Sequence, residues 1–345
     1  MENKLLSIVI PTYNRADMLL YTLSLFKEQI LRNLEKVELI VCNNASTDGT
    51  KDLLAQYYNK KAFFKIVTYT EHVEVGQSIV RSIENATGKF FLVYGDDDIP
   101  APYMVDTIVN SLESHPEIGY LCFNRLRGVT CEDNNGIEKI FLAGKQKIES
   151  YETYYNKITD FANNHQGEVG FLSVNIVLRE AWETMYKDVF PNNHLGYEFI
   201  VPYLYSAKHY PVVYIQYPLC IHRDASHSWN QKAYLYTYLG RPRAIAEQGR
   251  LGIVDDWKKL YQIYQSRYDD KSLIRAIFAI MEIDSSYSEY ANEMISYQSS
   301  KSRQRIIRNL MMSKGVKKRF YKGYYKFKLY GIKYLRKKAI RVIVK

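Results

Sequence analysis

The sequence predicts an α/β protein, with a mostly parallel, doubly wound sheet flanked by helices and then a helical, basic C-terminal extension. Short β-branched runs alternate with helix-spaced apolar segments through the first half, the pattern of parallel strands joined by crossover helices. Beyond Trp229 strand-like runs give way to a helical, Tyr-rich pattern. Charge is segregated as well: residues 301–345 hold 17 Lys and Arg and no Asp or Glu, so the net charge of +10 resolves into a body of −7 and a strongly basic tail. The predicted organisation is a core domain over 1–230, a helical module over 231–300 and a tail over 301–345.

Leu6 to Ile10 is a strand closed by Pro11, and Met18 to Ile30 follows with helical spacing. Glu38 to Cys42 is a second strand. Residues 43–50 form a polar turn, and Lys51 to Tyr58 a helix with Ser, Thr and Asp available as caps. The alternation continues with a strand at Phe64 to Tyr69, a helix at Gln77 to Asn85 and a strand at Lys89 to Tyr94. A helix is expected at Tyr103 to Ser114, strands near Gly119 to Phe123 and Gly170 to Leu178, a helix at Tyr197 to Ala207 and a strand at Val212 to Tyr217.

Several classes of protein are disfavoured. Cys42, Cys122, Cys131 and Cys220 are far apart and form no CxxC pair, which argues against a structural zinc site or a disulfide framework and for reduced, cytosolic thiols. The Leu5–Ile10 run is too short for a signal-peptide core. Without an uncharged apolar stretch of about 18 residues, no transmembrane helix is expected.

In open α/β sheets, ligands bind beyond the carboxyl ends of the strands. Three polar clusters sit there: Thr12-Tyr13-Asn14, Asn43-Asn44-Ala45-Ser46 and Gly95-Asp96-Asp97-Asp98. They are expected to converge on one site. Consecutive carboxylates raise one another's pKa unless a positive charge compensates them. A hard divalent cation such as Mg²⁺ or Mn²⁺ is the simplest partner, since it takes one or two protein carboxylates and fills its shell with phosphate oxygens and water. The alternative is a solvated acidic turn that caps the helix after Asp98-Ile99-Pro100.

In order and spacing, Pro11-x-Tyr13-Asn14, Asn43-Asn44-x-Ser46-Thr47-Asp48, Gly76 with Ala86-x-Gly88, and Gly95-Asp-Asp-Asp98 with Pro102 resemble the inverting family 2 glycosyltransferases, in their abequosyltransferase-like branch. The likeness is good over residues 5–125, looser to about 230, and lapses in the tail. It implies a GT-A fold for residues 1–230, a nucleotide-sugar donor, a Mn²⁺ or Mg²⁺ cofactor and a glycan acceptor, lipid-linked in one version, in bacterial surface polysaccharide synthesis. Pro11, Thr12, Tyr13, Asn14, Asn44 and Ser46 would line the nucleotide pocket.

Two departures from the family pattern matter. Asn44 stands where an aspartate usually reads the base edge; an amide both accepts and donates, so UDP comes first with CDP and dTDP open. Gly95 stands at the first carboxylate of the usual D-x-D, so the metal falls to Asp97. Asp96 would reach ribose or a metal-bound water, and Asp98 would orient Asp97 or cap the next helix. Arg81 either binds diphosphate or is a helix-surface cation. The resemblance also implies a general base, usually from a Glu-Asp pair that is missing here. Glu198 is the first candidate and His194 the second. In the loop from His222 to Trp229, Arg223 would close over the diphosphate and His222 would add a metal ligand. With these departures, the alternative is a non-catalytic nucleotide-sugar-binding or scaffold subunit.

From Lys317 to Lys345, cations interleave with Phe320, Tyr321, Tyr324, Tyr325 and further apolar residues. This suits an interfacial helix on anionic lipid at the inner face of the plasma membrane. Nucleic acid is the rival partner but no recognised nucleic-acid module accompanies the tail, so none is expected; a homo-oligomer contact is the third role open to it.

Overall fold

The computed structural model describes residues 4–58, 63–132, 138–143, 151–189, 199–223, 236–266, 269–283 and 287–330. Two compact units emerge, Met1–Ser226 with Arg250–Asp255 and His227–Gly249 with Asp256–Lys345.

The first unit opens with β1 (Leu6–Thr12), α1 (Ala16–Arg32), β2 (Val37–Asn43), α2 (Thr50–Tyr58), β3 (Lys65–Thr68), α3 (Val75–Ile83) and β4 (Phe90–Val93). After these come β5 (Ile99–Pro100), α4 (Met104–Ser114), β6 (Tyr120–Glu132), β7 (Glu138–Ala143), β8 (Glu152–Tyr155), α5 (Ile158–Asn164) and α6 (Gln166–Val169). The unit ends with β9 (Asn175–Leu178), α7 (Arg179–Val189), α8 (Ile200–Ser206) and β10 (Val212–Arg223). The sheet runs β3-β2-β1-β4-β9-β6-β10-β5, with β7 on β6 and β8 on β10. Neighbours from β3 to β4 are parallel, as are β6 and β10, while β9 runs antiparallel between β4 and β6.

Central strands explain the apolar runs. Every residue of β2 and β4 is buried, as expected of strands covered on both faces. Helix α1 buries Leu19, Leu23, Phe26 and Ile30, one stripe at three- and four-residue spacing. Asp48 caps α2, its Oδ1 accepting the Thr50 backbone N–H at 2.9 Å.

Some elements differ from the sequence expectation. The strand expected to stop at Phe123 continues to Glu132 and pairs with β7. Where a strand was expected from Gly170, a 3-10 turn at Leu172–Val174 precedes the short β9. Strand β10 runs on to Arg223, with register shifts on both sides of Pro218, since proline offers no N–H to the ladder and forces a bulge. Its pairing with β5 sets Ile221 opposite Ile99. His222 is thereby brought beside Asp98, 124 residues earlier in the chain.

At the amino-terminal ends of the strands, the buried Glu38 carboxylate accepts from Ser7 Oγ (2.6 Å), Lys65 Nζ (2.5 Å), Thr87 N (2.8 Å) and Thr87 Oγ1 (2.6 Å). One side chain thus ties β1, β2, β3 and the turn before β4. Beside it, a Cβ on Gly88 would stand 2.7 Å from Ser7 N and 2.9 Å from Leu6 C. The Ala86-x-Gly88 motif therefore serves close packing at the edge opposite the polar clusters.

The second unit is helical among its described residues. Its core includes Leu239, Ile245, Leu273, Ile277, Met294, Ile306 and Leu310. Arg243 binds Glu293 through two hydrogen bonds of 2.5 Å each.

Burial alone would raise the Glu38 pKa; the hydrogen bonds from Lys65, Ser7 and Thr87 outweigh it and hold the carboxyl below its ordinary value. Its contribution is therefore complete above the unfolded pKa of about 4.3 and disappears as pH falls through the lower folded value. Glu38→Gln is expected to cost about 2 kcal/mol near neutral pH. Denaturant titrations of both proteins should show this gap closing as the pH falls below about 4.

Candidate active site

The three polar clusters meet at the carboxyl edge of the sheet. From β1, Thr12 Oγ1 donates to Asp96 Oδ2 at 2.7 Å. Three residues on, Arg15 Nη1 lies 2.8 Å from Asp96 Oδ1 and 2.9 Å from Asp97 Oδ2. Thr22 on α1 places its hydroxyl 2.9 Å from the Asp96 carbonyl and 3.2 Å from that of Asp98. From the far side, Ser173 in the 3-10 turn accepts the Gly95 N–H at 2.8 Å and donates to Asp98 Oδ2 at 2.5 Å. His222 Nδ1 stands 3.4 Å from Asp98 Oδ1, its ring edge-on to Phe171 at 4.6 Å.

The acidic loop is thus enclosed: Asp96 is 5% exposed and Asp98 3%. Burial, reinforced by Asp97 and opposed by Arg15 and Thr12, pushes the Asp96 pKa up to about 6. Burial acts against the Arg15 charge, but Asp96 and Asp97 more than compensate and raise its pKa. Gly95 has a steric explanation. A Cβ there would meet Asp98 Oδ2 at 2.9 Å, Asp97 Oδ1 at 3.1 Å and Ser173 Oγ at 3.2 Å, so a side chain at this position would require those side-chain ends to shift.

The β1 and β2 loops are clasped together. Asn14, at φ 54°, accepts at Oδ1 from the backbone N–H groups of Thr47 (2.7 Å) and Asp48 (3.3 Å), while its own N–H donates to Ser46 Oγ at 3.0 Å. Ala45 also takes a left-handed φ, 57°. A non-glycine residue adopts it at a cost of roughly 1–2 kcal/mol; such strain collects at functional sites.

Asn44 engages protein atoms directly. Its Nδ2 donates to the Val73 carbonyl at 2.9 Å, and its Oδ1 accepts the Val73 N–H at 3.1 Å and a short bond from Arg81 Nη2. An aspartate lacks the donor for this two-way bridge, a physical reason for the amide here. Arg81 lies over the Tyr69 ring at 3.7 Å and donates from Nη1 to the Glu71 carbonyl at 3.0 Å. Its partners place it with Asn44. Tyr13 lies beside His72, ring centroids 4.0 Å apart and planes tilted by 35°.

Thr12, Asp96, Asp97, Asp98 and His222 therefore gather at the acidic loop, while Tyr13, Asn14, Asn44, Ser46 and Arg81 gather around the β1 and β2 ends; Pro11 lies within β1 between them. Glu198 and His194 lie outside the described residues, and Arg223 is described only as the backbone end of β10. Sequence reasoning passed over Arg15, His72 and Ser173. Arg15 did leave a signal, because a cation at a helix N-terminus opposes the helix dipole unless an anion is close. Ser173 left none.

Among the described residues, no group of three or more His, Cys, Asp or Glu is placed to hold a metal ion. Asp97 still supplies a hard oxygen at the carboxyl edge of the sheet, with the buried Asp98 behind it, which fits an ion that takes one or two carboxylates and draws the rest of its shell from phosphate and water. Arg15 balances part of the charge of the loop.

A mostly parallel Rossmann-like sheet with an acidic loop after its fourth strand defines the GT-A class of glycosyltransferases. The glycosyl transferase family 2 model matches residues 7–176, which form a domain of that family. It is 26% identical to abequosyltransferase RfbV of Salmonella typhimurium over 237 residues, 66% of this chain and 69% of that protein. It is 29% identical to an uncharacterised glycosyltransferase of Rickettsia typhi over 119 residues, 34% of this chain and 35% of that one. Among solved structures it shares the fold of S. aureus TarS, at a TM-score of 0.54 and 14% identity over 89% of this chain and 55% of TarS. A TarS fragment in complex with UDP-GlcNAc gives a TM-score of 0.52 and 13% identity, covering 95% of this chain and 93% of the fragment.

Arg15→Met leaves Asp96 and Asp97 without their shared cation and is expected to cost roughly 3 kcal/mol of stability. Added Mn²⁺ should then raise the melting temperature of the variant by more than that of the wild type. Equal shifts in a thermal titration would show that Arg15 is not the charge that balances this loop.

Proposed function

We propose that this family 2 glycosyltransferase moves a sugar, with inversion at the anomeric carbon, from a nucleotide-sugar donor to a hydroxyl of a bacterial surface glycan. UDP is the first nucleotide to test, followed by CDP and dTDP. The carrying observation is the convergence of the β1 and β4 loops through Thr12, Arg15, Asp96 and Asp97, and of the β1 and β2 loops through Asn14, Ser46 and Thr47. The name of the Salmonella relative, an abequosyltransferase, supports sugar transfer.

In this reading the base rests against Tyr13 and His72, with Pro11, Thr12, Asn14, Asn44 and Ser46 shaping the pocket and Arg81 holding Asn44 in place. Asp96 holds the loop in place through Thr12 and Arg15. Asp97 holds Mn²⁺ or Mg²⁺, with Asp98 and His222 beside it. When bound, the ion supplies positive charge to the departing nucleoside diphosphate, and Arg223 adds a second cation there. Glu198 removes the acceptor proton, and His194 is the next candidate for that task. Inversion follows from a single displacement.

Purified protein is expected, with Mn²⁺, to release nucleoside diphosphate from one member of a panel of UDP-, CDP-, GDP- and dTDP-sugars. Binding of a donor without release from any would sink the catalytic reading. Asp97→Asn should lower metal-dependent turnover by about a hundredfold or more while leaving the circular dichroism spectrum unchanged. Glu198→Gln should abolish transfer and preserve donor affinity measured by calorimetry; persisting transfer would move the base to His194.

A further inference from the structure

The helix Gly315–Tyr330 closes the described part of the second unit, and its two sides differ. Tyr325 is 4% exposed, and its hydroxyl accepts from Asn309 Nδ2 at 3.2 Å. Lys326 lies over the Phe278 ring at 5.5 Å. This side packs on the unit.

The other side carries Val316, Phe320 and Tyr324, which are 82%, 66% and 50% exposed. Their four-residue spacing places them along one stripe. Phe320 and Tyr324 stack with centroids 6.5 Å apart and planes within 12°. At 100° per residue, Lys317 and Lys328 flank this stripe on one edge and Arg319 and Tyr330 on the other, and all four are exposed. The helix contains no acidic residue. Beside its first turn is an open surface depression lined by Ser288, Met311, Met312, Ser313, Lys314 and Lys318. No described helix is long and apolar enough to cross a membrane.

We propose that this outward face is the membrane-docking surface of the protein. Val316, Phe320 and Tyr324 insert at the level of the headgroups of an anionic bilayer, and Lys317, Arg319 and Lys328 pair with the lipid phosphates around them. An aromatic stripe edged by long cationic side chains is the design of an interfacial helix, in which apolar burial and electrostatic attraction add. A nucleic-acid surface would use the same cations but gains little from an exposed Val316. A second copy of the chain would bring an equally basic face against this one. The proposal concerns the second unit alone and does not rest on the transfer reaction.

The test is sedimentation of the full chain with vesicles of phosphatidylcholine alone or mixed with phosphatidylglycerol. The wild type is expected to sediment with the anionic vesicles and to be released by salt. The double variant Phe320→Ser, Tyr324→Ser should bind them at least about tenfold more weakly, as should Lys317→Glu with Lys328→Glu, and both should keep the wild-type circular dichroism spectrum. These positions are exposed, so folding should survive. Failure of the wild type to bind anionic vesicles at physiological salt overturns the proposal. So does unchanged vesicle binding by the aromatic variant, or a loss confined to self-association in sedimentation velocity or to RNA retardation.

Discussion

The guanidinium of Arg15, shared between Asp96 and Asp97 at 2.8 and 2.9 Å, is the interaction on which the site depends. Three adjacent carboxylates gathered at the end of a buried strand repel one another and lose hydration. Arg15 supplies the opposing charge, while Thr12, Thr22 and Ser173 fix the loop from β1, α1 and the 3-10 turn. The loop is thereby held in one arrangement by protein contacts. Electrostatic preorganisation of this kind avoids rearranging charges during a reaction.

The opposite edge of the sheet is held by a second buried carboxylate. Glu38 gathers β1, β2, β3 and the turn before β4 through hydrogen bonds to Ser7, Lys65 and Thr87, and Gly88 allows the chain to pass close to β1. One edge is thus anchored by a compact network. The other is left to loops that carry function, two of which contain non-glycine residues with left-handed φ. This division of labour is general for open α/β sheets.

The motifs acquire different meanings once folded. Asn44, a departure from the family pattern, becomes a latch on the Val73 peptide. Gly95, a missing carboxylate in one dimension, becomes a point of close approach to the side-chain ends of Asp97, Asp98 and Ser173. Arg81 joins Asn44 and Tyr69 rather than standing as a plain surface cation. In each case, a partner distant in sequence decides what the side chain does.

The sequence by itself determined the parallel core, the placement of three polar clusters at strand ends, the family, and the basic character of the tail. Those features follow from local pattern: fully apolar strands, helical periodicity, motif order and charge composition, all carried by neighbouring residues. Only the tertiary structure decided that Arg15 and Ser173 grip the acidic loop, that β5 pairing with β10 delivers His222 to Asp98, that β6 continues into a hairpin with β7, and which side of the Gly315–Tyr330 helix faces outward. These depend on strand register and on packing between segments remote in the chain, and no local propensity encodes either.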